Sequence, residues 1–299
     1  MADWRLCQSP VVDYMIFMAR RSPSRSAPDR STDRSPPPSA RADQPARSSG
    51  ERSGGRSGRS GRGHAGNSGS GYWIYGHHAV QAALANPERV IHDFLATREA
   101  AASFEGASHK PQIVDRERLD KLCERDAVHQ GVCLRVEPLE TLAILDIVER
   151  TGPVLVLDQV TDPRNIGAIL RSAAAFGAAA LLVQDRNAPQ ESGAMAKAAS
   201  GALDLVPILR EVNLSRALQA LQAENFWVVG LDAGGTRLDG KGFVGRRVAL
   251  VLGAEGAGLR RLTRETCDEI ASVYMPGDME SLNVSNAAAV ALYELVRPV

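Results

Sequence analysis

The sequence lacks the marks of a metal protein, a secreted protein or a membrane protein. It has four cysteines, Cys7, Cys123, Cys133 and Cys267, and no two stand at Cys-x-x-Cys spacing. Their scatter argues against a zinc site or a disulfide framework and fits a reducing cytosol. No apolar run reaches the ~20 residues needed to span a bilayer. The run Val11 to Met18 is short, is interrupted by Asp13 and lacks a basic stretch just before it, so it makes a poor signal peptide. Net charge is also lacking: 35 basic residues balance 35 acidic ones. The balance is uneven along the chain. Residues 1–71 contain no lysine but 12 arginines against 6 acidic residues, a net of +6, which leaves −6 for the remainder.

Residues 20–71 are almost entirely Arg, Ser, Gly, Pro, Ala and Asp. Such a segment cannot bury enough apolar surface to offset its ordering entropy, so a disordered tail is expected over 1–71. Its Arg-Ser and Arg-Gly character fits electrostatic attachment to RNA, and equally fits a solvated tail with no specific role. Met18, followed by Ala-Arg-Arg-Ser, is a plausible alternative start.

Patterned sequence begins near Tyr72. Strand-like runs at Tyr72–Tyr75, Val90–Ala96 and Gly131–Val136 alternate with helical runs at His78–Leu84 and Asp115–Cys123. A small α/β domain over 72–138 is expected, then a partly helical linker over 139–152. From Pro153 the pattern is strand and helix in turn. Strands are expected at Val154–Leu157, Ala179–Val183, Leu205–Leu209, Phe226–Leu231, Val248–Leu252 and Ile270–Met275. They are continuous apolar runs, as in parallel strands covered on both faces. Helices are expected at Ile166–Phe176, Gly193–Ala202, Leu214–Glu224, Arg260–Cys267 and Leu282–Val296. The fold class is therefore α/β with a parallel sheet over 153–299.

Three strand-to-helix junctions carry polar residues. The first runs from Asp158 through Asp162-Pro163-Arg164-Asn165-Ile166-Gly167 to Arg171. Asn165 stands where an N-cap is wanted, and Arg171 is a long cation on a face shared with Gly167 and Ala174. Such an arginine suits a phosphate or carboxylate, or simply pairs with a nearby acid. The second junction is Gly253-Ala254-Glu255-Gly256-Ala257-Gly258. Its glycines permit close approach of a flat ligand, whereas Glu255 argues against cradled phosphates. The third, Ser281-Leu282-Asn283-Val284-Ser285-Asn286, has more polar residues than one helix cap requires. Ligands bind outside the carboxyl ends of parallel strands, where such junctions gather. Gly235 to Lys241 imitates a phosphate loop, but Gly242 replaces the needed hydroxyl residue. It is expected to be an exposed loop. His77–His78 has no supporting ligand spacing and is not read as a metal site.

In this order the three junctions resemble the signature motifs of the SpoU, or TrmH-like, branch of the SPOUT RNA methyltransferases. The resemblance covers about 72–299. It implies transfer of methyl from S-adenosylmethionine to a ribose 2′-hydroxyl, a C-terminal deep trefoil knot holding the cofactor, a homodimer and a cytoplasmic location. Carried over by position, Asn165, Arg171, Glu255, Asn283 and Ser285 serve catalysis. Gly253, Gly256, Val273, Met275 and Leu282 line the cofactor. Tyr274 and Asn286 depart from the family pattern, where proline and valine are frequent. Tyr75-Gly76-x-His78-x-Val80 and His129-Gln130-Gly131-Val132 match the RNA substrate-binding domain that precedes the catalytic domain in some members. That two-domain form is most similar to the branch methylating a guanosine of 23S rRNA. A tRNA-modifying enzyme or a non-catalytic RNA-binding relative are the alternatives.

Overall fold

In a computed structural model, residues 71–125 and 127–298 are described, and all of them fall in one compact unit. The expected tail over 1–71 lies almost wholly outside the described residues. Strands β1 (Tyr72–Tyr75), β2 (Ile91–Ala96), β3 (Gln112–Ile113) and β4 (Val132–Val136) form one sheet in the order β1-β4-β2-β3. Helices α1 (His77–Ala85), α2 (Arg98–Ala101) and α3 (Arg116–Leu122) connect them. β4 is antiparallel to both β1 and β2, while β3 adds parallel to β2.

The second sheet has six parallel strands: β5 (Val154–Leu157), β6 (Ala180–Gln184), β7 (Ile208–Glu211), β8 (Phe226–Arg237), β9 (Arg247–Leu252) and β10 (Glu269–Ser272). Their order is β10-β8-β9-β5-β6-β7. The helices are α4 (Pro163–Ala175), α5 (Gly193–Ala199), α6 (Leu214–Ala223), α7 (Arg261–Thr266) and α8 (Val284–Val296). Alternation along β5 divides the core. Leu155 and Leu157 pack with α4 and α8 on one face, and Val154 and Val156 pack with α6 on the other. All four residues are buried, which explains the unbroken apolar run. Among the described residues no helix is long and apolar enough to cross a membrane.

Several boundaries differ from expectation. Leu205 and Val206 follow a 3-10 turn (Ala202–Asp204), and β7 starts only at Ile208. Val206 is buried without joining a ladder, and an apolar run cannot distinguish the two situations. β10 ends at Ser272, short of Met275, and the linker's helix is one 3-10 turn, Ile144–Ile147. Gly235–Arg237 is not a loop but the end of β8, where Thr236 and Arg237 pair with Ala271 and Ser272. A Cβ at Gly235 would collide with the Ala271 backbone, so glycine there serves the sheet.

The two sheets are joined by buried charge. Arg89, between α1 and β2, has a fully buried side chain. Its guanidinium donates to Asp204 Oδ1 and Glu191 Oε2, both at 2.8 Å, and to the Glu137 carbonyl at 2.9 Å. The Tyr72 hydroxyl donates to the same Glu191 oxygen at 2.5 Å, and Asn86 Nδ2 donates to Asp204 at 3.1 Å. A second set of contacts seats the first sheet's loops on α5. Ala194 N–H donates to Glu124 Oε1 at 3.2 Å, and Lys197 Nζ donates to Gln130 Oε1 at 2.6 Å.

Candidate active site

Helix α4 begins one turn earlier than expected. Pro163 occupies its first turn, and Asp162 is the N-cap, accepting from Arg164 N–H at 2.8 Å. Proline is favoured there because its missing N–H would be unpartnered anyway. Asn165 is therefore inside the first turn rather than the cap, and its amide is free to face other elements.

The second junction folds back on itself. Ala254 and Gly258 form an antiparallel bridge, closed by Gly258 N–H donating to the Ala254 carbonyl at 2.9 Å. A Cβ at Gly253 would strike the Gly258 backbone. Gly256 sits exposed at the tip with φ 80, a left-handed conformation that favours glycine. The hairpin is anchored behind by Asp158, which is fully buried at the end of β5. Its carboxylate accepts from Arg260 Nε at 2.6 Å and from Arg260 N–H at 3.0 Å. This clamp was not singled out in the sequence, although an acid directly after an apolar strand is a visible signal.

Glu255, exposed on the hairpin, joins the first and third junctions. Its Oε1 accepts from Asn283 Nδ2 at 2.6 Å, from Asn165 Nδ2 at 3.3 Å and from Val284 N–H at 3.4 Å. Asn283 Nδ2 also donates to Asn165 Oδ1 at 3.2 Å. Asn283 is the N-cap of α8: its Oδ1 accepts from Ser285 N–H at 2.9 Å and from Ser285 Oγ at 2.5 Å. A carboxylate at the start of a 13-residue helix also meets the positive end of the helix dipole. Asn165, Glu255 and Asn283, from three distant segments, thus close one hydrogen-bonded ring outside the carboxyl ends of parallel strands, with Ser285 attached through Asn283.

Arg171 stands apart from this ring. It is exposed on α4 and makes no hydrogen bond or ion pair with the described residues. Asn165 and Glu255 bond to each other and to Asn283, not to Arg171. Gly167 does not shape a ligand surface beside Arg171. A Cβ there would meet the Met195 carbonyl and Ala198, so Gly167 lets α4 and α5 approach closely. Arg164, also exposed and seven residues before Arg171, lies on the same side of the helix. The two arginines make an exposed cationic edge along α4.

Of the expected cofactor residues, Gly253 and Gly256 belong to the hairpin, whereas Val273, Met275 and Leu282 belong to the loop between β10 and α8. The Glu255–Asn283 bond holds these two loops side by side. The second loop exposes Tyr274, Met279 and Leu282, at 61%, 73% and 38%, and the Arg237 guanidinium lies 4.5 Å from the Tyr274 ring centre. Exposed apolar side chains beside glycine-opened backbone can pack against a flat heterocycle, so the residues present fit S-adenosylmethionine.

A parallel sheet carrying these polar side chains at its carboxyl edge fits a methyltransferase, and the chain belongs to the SpoU rRNA methylase family. The family model matches residues 152–293, and a model described as RNA 2′-O ribose methyltransferase substrate binding matches 73–142. The 23S rRNA (guanosine-2′-O-)-methyltransferase RlmB of Pasteurella multocida is 42% identical over 238 residues, 75% of this chain and 97% of that protein. RlmB of Escherichia coli K12 is 42% identical over 239 residues, with the same coverage of 75% and 97%. Among solved structures, the SpoU methyltransferase AviRb from Streptomyces viridochromogenes, in complex with AdoMet, superposes with a TM-score of 0.65. It is 26% identical and is aligned over 76% of this chain and 90% of that one.

Proposed function

We propose that the protein transfers methyl from S-adenosylmethionine to the ribose 2′-hydroxyl of a guanosine in 23S rRNA. The observation that carries this reading is the hydrogen-bonded cluster of Asn165, Glu255, Asn283 and Ser285, with the unpaired Arg171 on the helix that also carries Asn165. The near-complete alignment with the RlmB relatives supports the choice of RNA and nucleotide. In this reading 72–138 binds the RNA substrate, 139–152 links, and 153–299 is catalytic. The chain after β10 runs through a deep trefoil knot, one of the rare exceptions to unknotted topology. Two features support the knot: β9 lies between β5 and β8, and α8 returns to pack against α4. The protein works in the cytoplasm as a homodimer. Support for a second copy comes from the outward strip of α8, where Val290, Tyr293 and Val296 are exposed at 45%, 55% and 40%.

The bound cofactor supplies an electrophilic methyl group. The protein's own residues then position the ribose and manage charge on the hydroxyl. Arginine keeps its proton below pH ~12 and makes a poor general base. Arg171 instead holds an RNA phosphate and stabilises negative charge as it develops on the 2′-oxygen. Asn165 and Asn283 orient the ribose, and Glu255 fixes both amides through one oxygen. Ser285 holds Asn283 from its other side. Gly253, Gly256, Val273, Met275 and Leu282 form the cofactor's walls.

Glu255→Ala removes the acceptor shared by two amides and the start of α8. Turnover should fall about 10²-fold, the cost of roughly an ångström of misplacement, with folding intact because the ring is exposed. Single-turnover kinetics on 23S rRNA fragments check this, and an undiminished rate counts against the ring's role. Deleting residues 20–71 should weaken RNA binding most at low salt and leave the methylated position unchanged. A moved target site after the deletion would show that the tail does more than attract RNA. The reading as a whole is tested by labelled-methyl transfer from S-adenosylmethionine to protein-free 23S rRNA and tRNA. Incorporation into 23S rRNA at a 2′-O-methylguanosine is expected, and labelling confined to tRNA overturns the choice of substrate.

A further inference from the structure

Cys123 ends α3 and Cys133 lies within β4, and their sulfurs are 2.9 Å apart. A disulfide bond is about 2.05 Å, so closing it requires a shift of about an ångström. Both are free thiols, Cys133 fully buried and Cys123 half-buried. They sit in a small core with Tyr75, Leu95 and Leu119, apart from the ring around Glu255. The chain between them contains Glu124 and Gln130, which bond to the α5 residues Ala194 and Lys197.

We propose that Cys123 and Cys133 are a redox-active dithiol that closes to a reversible disulfide when exposed to a small-molecule disulfide such as oxidised glutathione. Cys123 thiolate attacks one sulfur of the oxidant, forming a mixed disulfide and releasing one glutathione thiolate. Cys133, giving up its proton to solvent, then attacks the Cys123 sulfur and displaces the second glutathione. Two protein thiols are oxidised to one disulfide, and one glutathione disulfide is reduced to two thiols. The order of attack follows from the contact. The hydrogen bond from Cys133 holds the Cys123 pKa down, against burial and the nearby Asp120 and Glu124 carboxylates. The same contact, with burial, pushes Cys133 up. Cys267 is no competitor, because burial pushes its thiol up to about 12. Closure ties down the segment that rests on α5, linking redox state to the seating of the first sheet.

The test is incubation of the folded full-length chain with oxidised glutathione, followed by acid quenching, alkylation and peptide mass mapping. A Cys123–Cys133 disulfide that dithiothreitol reverses is expected, with Cys267 alkylated as a thiol. In Cys133→Ser, Cys123 should stop at a single glutathione adduct. If that variant does not fold, Cys133→Ala provides the same readout. Two free thiols at equilibrium with excess oxidised glutathione, or a disulfide formed only in denaturant, overturn the proposal. None of these readouts depends on methyl transfer.

Discussion

Arg171→Ala should lower methyl transfer by about 10²–10³-fold or more, the cost of removing a donor aimed at developing oxyanion charge. Cofactor binding should be nearly unchanged, because Arg171 bonds to neither the 253–258 hairpin nor the 273–283 loop. The side chain is exposed, so folding should survive the change. Arg171→Lys keeps the charge but loses the planar fork, and should recover only part of the rate. Equilibrium binding of S-adenosylmethionine and single-turnover rates, measured on the same variant, separate these effects. A full rate in Arg171→Ala, or lost cofactor binding, removes the arginine from its proposed role.

Arg89→Ala should destabilise the fold by about 3–5 kcal/mol, because it strands two buried carboxylates. The Arg89, Asp204 and Glu191 side chains are 0%, 2% and 9% exposed, so solvent screens them little. For a domain of this size the thermal midpoint should fall by roughly 6–20 °C. Burial already raises the Asp204 pKa despite its bond to Arg89, and the variant should raise it further. A carboxyl whose folded pKa exceeds its unfolded value binds its proton more tightly when folded. Its favourable contribution is complete below the unfolded pKa and is lost as pH rises through the folded one. The defect should therefore be largest at neutral pH and shrink on acidification toward the ordinary carboxylate range. Denaturant melts at several pH values check both the size and the sign.

What could be read from the chain divides by distance. The parallel sheet was legible because its apolar runs are local and continuous, and the three junctions because each is a short motif beside a strand end. The start of α4 was also within reach, since Pro163 marks a first helical turn and so makes Asp162 the cap. The Arg89 hub was not legible: its partners lie 102 and 115 residues away, and no local period marks it. The packing role of Gly167 was hidden for the same reason, because what it accommodates is the backbone of α5. The ring shows the limit most clearly. Asn165, Glu255 and Asn283 were each visible, but their convergence on one oxygen of Glu255 depends on how β5, β9 and α8 are arranged in space.

The central claim is that this chain places one methyl group on one ribose of 23S rRNA. It is tested most directly by mapping 2′-O-methylation across 23S rRNA and tRNA in a strain lacking the gene, then after complementation. The account predicts loss of a single 2′-O-methylguanosine in 23S rRNA, restored by the wild-type gene and not by Arg171→Ala. Retention of every such mark in 23S rRNA, or a loss confined to tRNA, would contradict it.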